Sequence, residues 1–330
     1  MPTLTAEAVL KNPLKLFGDF KVSEKDLSYY KQLISEGKEE QAVDEFLAKY
    51  VEPHVEQYQL TLQFYLKQAS VGQLSASDKS GLEKSVALLT VGLTSLLVSN
   101  FSDFSNQVIA PPVFSKNRII TTALRKSILD QTVSQFEELT KNTLLETQSN
   151  VLTYIRTLQK EMIIENQKIL RQGFTEKDLS AEISRFKSGL REKFPDLFKA
   201  MENGQILKST AKADGTTRNY KLDNFLNETV RTTILNIERN AVQVDAELSG
   251  DQVVEYRQLD MRTVKQPREI CIHILSRRVN GKALLAIDQE TASRLGILTI
   301  ADAMSQGAMG NYCRHGILRV SEEFSKKVGE

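Results

Sequence analysis

With 41% apolar and 26% charged residues along 330 positions, the chain holds enough apolar material for two or three packed domains, and disorder as the default state is excluded. Its 43 Lys and Arg balance 42 Asp and Glu, so no overall field draws it to nucleic acid or an acidic membrane, and any such binding has to come from a local patch. Two cysteines, Cys271 and Cys313, rule out a disulfide framework, although one bridge between them stays compatible.

The opening MPTLTAEAVLKNPLKLF lacks the charged start, continuous apolar middle and small-residue cleavage site of a secretory signal, so assembly in a reducing cytoplasm is expected. Residues 25–69 read as helices. Ala42, Val43, Phe46 and Leu47 face inward, Pro53 marks a break, and Tyr58, Leu62, Tyr65 and Leu66 form a packing stripe. His54, beside that proline and with no second ligand nearby, is expected at the surface or as a cap. The uncharged run from Ser85 to Ser102 has its apolar core at Val86–Val98, interrupted by Thr90, Gly92, Thr94 and Ser95. It is too short and too broken for a spanning helix, which needs about 20 apolar residues. A helix ending near Asn100 and covered by the core or a partner is expected instead. Pro111-Pro112 then reads as an extended linker.

From Asn117 to Gln172 there is neither proline nor glycine, and apolar residues recur at helical steps from Ile119 to Leu170. Unbroken, such a helix is about 80 Å long at 1.5 Å per residue, but a phase slip over Lys141–Asn150 leaves two helices or a bend open. A rod of that length has to lie against neighbouring helices or another subunit. Gly173 closes it, Thr175 and Asp178 open a further helix as a capping box, and Leu179, Ile183, Phe186, Leu190 and Phe194 line that helix before Pro195. Residues 204–222 read as a basic hairpin turning at Asp214-Gly215, with Lys208, Lys212 and Arg218 either solvated or touching phosphate. Val230, Ile234, Ile237, Ala241, Val244 and Leu248 then mark one face of a helix stopped at Gly250, followed by a strand through Val253, Val254 and Tyr256.

These elements predict an N-terminal helical region over residues 1–110, a long helix and helical arm over 115–203, and a hairpin, helix and compact module over 204–330. The fold class is mainly α with a small α+β C-terminal module and a long central helix.

The chemistry-bearing residues cluster in that module. Both cysteines and two of the three histidines share the form Cys-x-His, at Cys271/His273 and Cys313/His315. On strands, residues two apart face one side, so the two pairs would offer four ligands to a tetrahedral zinc ion. A Cys271–Cys313 disulfide and plain packing residues are the alternatives. Between them Asn280-Gly281 reads as a hairpin turn, Leu284–Ile287 as a strand, and Asp288 or Thr291 as the start of a helix stopped at Gly296. Thr299 and Asp302 cap another helix with Ile300 and Met304 inward. Seven cations (Arg257, Arg262, Lys265, Arg268, Arg277, Arg278 and Lys282) face only Asp260 and Glu269 in the same stretch, a surplus that suits phosphate or an acidic partner as well as a solvated rim. The chain carries no phosphate-cradling glycine loop, no GxSxG, no HExxH and no dinucleotide fingerprint, so no enzymatic activity is expected.

The order of features has a family likeness. Gly173, Thr175 and Asp178 are followed by Arg231-Thr232-Thr233, then Asp260-Met-Arg-Thr263, the pair Cys271 and His273, Asn280-Gly-Lys282 and Cys313-Arg-His315. Over roughly residues 153–317 this series resembles the minor head proteins of tailed bacteriophages, the phage Mu F head-morphogenesis family. Many relatives carry Cys-x2-Cys at the first site and a His two residues before the second Cys; here Ile274 and Asn311 stand at those places. The resemblance implies a virion protein present in few copies, attached to the portal protein inside the capsid as a homo-oligomer or as multiple copies around it, assembled in the bacterial cytoplasm, aiding head assembly or DNA packaging and ejection, with the basic residues from Arg257 to Lys282 meeting packaged DNA and no membrane in the resting state. The competing reading is a cytoplasmic nucleic-acid-binding protein with a small zinc module. In the first reading, the apolar faces of the long helix and of Val86–Val98 exceed what one chain covers and dock on the portal or sister copies.

Overall fold

The computed structural model describes residues 21–70, 76–117, 119–172, 192, 207–211, 217–258, 268–309, 313 and 315–329. In chain order these form α1 (Glu24–Ser35), α2 (Glu39–Tyr50), α3 (Glu52–Ser70), α4 (Ala76–Phe104), a π-turn (Ser105–Ile109), α5 (Ala110–Lys116), α6 (Thr122–Gln172), β1 (Leu207–Ala211) and β2 (Thr217–Lys221). Then come α7 (Leu222–Ser249), β3 (Val253–Gln258), α8 (Glu269–Ser276), β4 (Arg278–Val279), β5 (Lys282–Ala286), α9 (Gln289–Leu295), α10 (Ile300–Ser305), β6 (His315–Arg319) and α11 (Glu322–Gly329). The chain is mainly α, with one small antiparallel sheet near its C-terminus. Its residues fall into two compact units, each discontinuous in sequence. The capping box and helix expected over 175–194 lie outside the described residues.

The first unit takes Phe46–Leu97 and Leu139–Leu226. The Tyr58, Leu62, Tyr65 and Leu66 stripe is buried as the periodicity of α3 requires. Tyr58 also resolves its own polar atom: the phenol shares a 2.9 Å hydrogen bond with Thr90 Oγ1 on α4 and donates to the Leu144 carbonyl of α6 at 3.4 Å. On α4, Val86, Leu89, Leu93 and Leu97 are buried, and the threonines between them pass their hydroxyl protons back to carbonyls four residues earlier. The expectation that this stripe needs a partner is therefore corrected, because its inward face is already covered within the single chain. What stays outward is the adjacent pair Leu88 and Val91, 51% and 62% exposed. Among the described residues, Glu83–Lys116 is the one stretch long and apolar enough to cross a membrane, and 50% of its most apolar window is buried inside the chain.

His54 departs from its expected surface position: it is 2% exposed. Burial holds the imidazole below its ordinary pKa, so the folded state favours the neutral ring. The stability this contributes is complete above the unfolded value of about 6.5 and is lost as pH falls from there through the lower folded value. Denaturation midpoints should drop as pH falls below about 6.5, and His54→Gln should flatten that profile. Identical profiles for the two proteins would assign the acid sensitivity to other groups.

One local expectation fails and one open choice resolves, each for an identifiable reason. Pro111-Pro112 is not a linker; the prolines occupy the first turn of α5, directly after the π-turn, so α4 passes into α5 without an extended segment. In the π-turn the Ala110 N–H reaches the Ser105 carbonyl, five residues back. That wider ring brings the prolines to a first turn, where a missing N–H costs nothing and φ near −65° is what the helix needs. Of the readings left open for the long helix, two separate helices are not what forms, since α6 is a single element of 51 residues. Its buried face runs Ile128, Thr132, Phe136, Thr140, Leu144, Thr147, Val151, Ile155. Threonines fill the positions that an apolar count leaves empty. The Thr132 and Thr147 hydroxyls bond to carbonyls four residues back, which makes them tolerable inside.

The second unit takes Val22–Glu45, Val98–Glu138 and Asn227–Glu330. Phe101 stacks on Phe136 at 4.2 Å and Tyr30 meets Phe104 edge-on at 5.5 Å. The four strands run β4-β5-β3-β6, each pair antiparallel. Alternation sorts their side chains: Val254, Tyr256, Leu285 and Ile317 join Val242 and Ala246 of α7 in one cluster, while Val253 and Leu284 join Val320 and Val328 in another. Both faces of the sheet are thus covered. The predicted turn at Asn280-Gly281 has both residues at positive φ, 50° and 82°, the type I′ requirement. Asp288 and Thr299 cap α9 and α10 by accepting from Thr291 and Asp302 N–H groups, and left-handed Gly296 ends α9. Leu248 and Met304, expected inward, are 51% and 46% exposed. Leu248 sits in the last turn of α7, past the part of the helix that packs, and α10 is a six-residue element with room for one inward face.

Candidate functional site

The two Cys-x-His tripeptides fold differently, and that decides which side chains meet. Ile270, Cys271, Ile274 and Leu275 turn toward the core at steps of one, three and one, the signature of a helix, and α8 forms there rather than a strand. Two residues along a helix is about 200° of rotation, so Cys271 is buried while His273 points to solvent beside Ile272. The four-ligand expectation is corrected on this point: His273 does not reach the other three. Cys313 and His315 do behave as a strand pair, at the approach to β6 and on its first residue. Their side chains share one side, with Sγ 3.6 Å from Nδ1.

Cys271, Cys313 and His315 converge, with donor atoms all within 4.8 Å and all three residues buried. The two sulfurs are 3.8 Å apart and unbonded. Tyr256 on β3 donates its phenol proton to Cys271 Sγ at 3.2 Å, approaches Cys313 Sγ at 4.0 Å, and stacks on the His315 ring at 5.3 Å and 15°. The Met309 N–H donates to Cys313 Sγ at 3.2 Å. Cys313 is thus the acceptor of the group. The hydrogen bond from Cys271 pulls its pKa down against the opposing effect of burial, and His315 and Arg239 add to the fall. Cys271, as the donor in that bond and itself buried, is pushed up. Burial pushes the Tyr256 phenol up as well.

Arg239 holds the arrangement from behind. It is 3% exposed on α7. Its guanidinium donates to the Met309 carbonyl and to Asn236 Oδ1, each at 2.7 Å, to the Cys313 carbonyl at 3.4 Å, and to the His315 carbonyl. Burial brings its pKa down to about 10, with the Cys313 charge working the other way, so it is cationic at neutral pH. One fork of donors therefore fixes the backbone that presents both Cys313 and His315. Neither Arg239 nor Tyr256 was singled out as a site residue by spacing. A signal existed for the arginine: Thr232, Arg239, Val242 and Ala246 share the buried side of α7, and a cation among inward positions needs a partner.

The basic residues are less available than their count suggests. Arg268, Arg277 and Arg278 each tie down a backbone carbonyl, of Gly307, Gly296 and Gly281 respectively. Lys282 pairs with Glu255 at 2.8 Å and lies over the Phe324 ring. Arg257 is exposed on β3. Lys208 and Arg218 belong to the β1–β2 hairpin, opposite Tyr220 and Thr210; Lys212, Arg262 and Lys265 lie outside the described residues. A separate cavity of about 300 Å3 is lined by Ile34, Val43, Ile109, Val113, Ile234 and Leu235, with Glu39, Lys116, Arg231 and Glu238 among its charged groups. Burial and the nearby Glu39 raise the Glu238 carboxyl pKa.

Two sulfurs and an imidazole nitrogen in a dry setting are donors for a borderline metal ion, zinc foremost. No family profile, curated protein or solved structure matches this chain.

Proposed function

We propose that the chain is a minor head component of a tailed bacteriophage that docks on the portal inside the capsid and aids head assembly or the packaging and ejection of DNA. The observation that carries this reading is the order of features over residues 153–317. Further support comes from their gathering: the helix bearing Arg231-Thr232-Thr233, the Asn280–Lys282 turn, Cys271 and the Cys313/His315 pair all belong to one compact unit. In this reading the protein performs no reaction. It is a mainly helical chain with a small α+β C-terminal module, and its work is contact.

Docking then relies on exposed side chains, because the apolar stripe of α4, and that of α6 as far as Ile155, are already covered. Leu88 and Val91, one turn apart on the outward side of α4, are the pair to test. Mass spectrometry of purified virions should find the polypeptide inside particles at a fixed ratio to portal, and Leu88→Glu/Val91→Glu should fold normally yet lose most of its portal co-purification. Surface changes of this kind usually cost within about 0.5 kcal/mol of stability. A chain that is absent from particles, ignores portal and binds DNA with steep salt dependence would favour the nucleic-acid reading instead.

A further inference from the structure

We propose that Cys271, Cys313 and His315 hold a zinc ion, with Tyr256 Oη closing the fourth corner, a donor set that leaves out His273. The inference does not depend on the head-protein reading and goes beyond it.

Edge lengths carry the argument. Zinc–sulfur bonds of about 2.3 Å and zinc–nitrogen bonds of about 2.0–2.1 Å in a tetrahedron put two sulfurs about 3.8 Å apart and a sulfur and a nitrogen about 3.6 Å apart. The structure has 3.8 Å between Cys271 and Cys313 Sγ and 3.6 Å between Cys313 Sγ and His315 Nδ1. A disulfide would need about 2.05 Å. An oxygen at the remaining corner belongs about 3.5 Å from each sulfur, and Tyr256 Oη is 3.2 Å from one and 4.0 Å from the other. Two of the three edges among Cys271, Cys313 and His315 therefore stand at ligand spacing, the third lies within 4.8 Å and closes on an ion by a shift of the Cys271 or His315 side chain, and the Tyr256 oxygen is within a small shift of the fourth corner.

The surroundings fit as well. All three principal ligands are at most 4% exposed, so water does not compete. Two thiolates cancel the charge of the dication, and a phenolate at the fourth corner would offset the buried Arg239 guanidinium nearby; the displaced protons go to solvent. The Met309 N–H to Cys313 Sγ and the Arg239 bonds to the Cys313 and His315 carbonyls orient the ligands from outside the coordination sphere, as outer-shell partners of metal ligands do. The ligands come from α8 and from the lead into β6, with Tyr256 on β3, so the ion would join segments 42 residues apart in sequence.

The test uses the full chain, purified under reducing conditions without chelator. About one zinc per chain is expected, and replacement by Co2+ should give the intense visible bands of a tetrahedral site with sulfur-to-metal charge transfer. Cys271→Ser and Cys313→Ser should lose those bands, Tyr256→Phe should shift them, and His273→Ala, at an exposed position, should leave them unchanged. Chelator should lower the melting temperature of the parent chain reversibly, a readout that survives if a ligand variant fails to fold. The proposal is overturned by a folded protein without stoichiometric metal that gives no cobalt bands and has both thiols open to titration, by thiols that titrate only after reduction, or by loss of the bands in His273→Ala. An unchanged cobalt spectrum in Tyr256→Phe removes Tyr256 from the ligand set.

Discussion

Arg239→Met should lower the stability of the unit that contains it by on the order of 3 kcal/mol, measured as a shift in the midpoint of denaturant unfolding. The guanidinium is buried and bonds to the carbonyls of Met309, Cys313 and His315 as well as to Asn236. Each carbonyl left buried without a donor costs about 1–3 kcal/mol. The methionine recovers part of this through apolar contact and relief of a buried charge, which is why the expected loss stays below the simple sum. Arg239→Lys separates the contributions, because it keeps the charge but not the planar fork; it should recover less than half of the loss. A methionine variant as stable as the parent would mean that the segment from Met309 to His315 is held by something other than this side chain.

Arg319→Ala should cost about 2–3 kcal/mol. Its Nη1 reaches Asp245 Oδ2 at 2.8 Å near the end of α7 and its Nε reaches Asp251 Oδ2 at 2.7 Å just past that helix, so one residue of β6 ties the sheet to the helix exit. The two carboxyl side chains are 5% exposed, and breaking a buried pair of this kind costs about 3–5 kcal/mol. The arginine itself is 32% exposed, so water screens part of the interaction and the lower end applies. Burial alone would lower the arginine pKa, but its hydrogen bonds to both aspartates outweigh that and raise it, so the cation persists throughout the accessible pH range. A triple variant, Arg319→Ala with Asp245→Asn and Asp251→Asn, should regain part of the loss. If the triple variant is less stable than the single, the carboxylates are not the source of the penalty.

Much of the second unit was legible residue by residue. The face of α7 shows in Val230, Ile237 and Ala241, its end in Gly250 at φ 72°, and β3 in its β-branched and aromatic content. Asp288, Gly296 and Thr299 mark where short helices start and stop, and Asn280-Gly281 marks a turn. All of these rest on hydrogen bonds or backbone angles within about four residues. The candidate site was half legible for the same reason. Cys313 and His315 converge because a strand places residues two apart on one side, whereas the identical spacing at Cys271/His273 lies on a helix and separates them. An apolar count also missed the buried threonines of α6, since Thr132, Thr140 and Thr147 are polar by composition and inward by position.

The sequence by itself determined the class of the molecule, the helix that leads into the C-terminal sheet, and the residue types able to hold a metal, because periodicity, caps and turn chemistry act over a few neighbouring positions. Tertiary structure alone decided that Pro111-Pro112 continues a helical path, that the stripe of α4 is covered without a partner, and that Arg239 reaches carbonyls 70 to 76 residues further along the chain. Those outcomes depend on which surfaces meet once distant segments pack, and no local propensity encodes that.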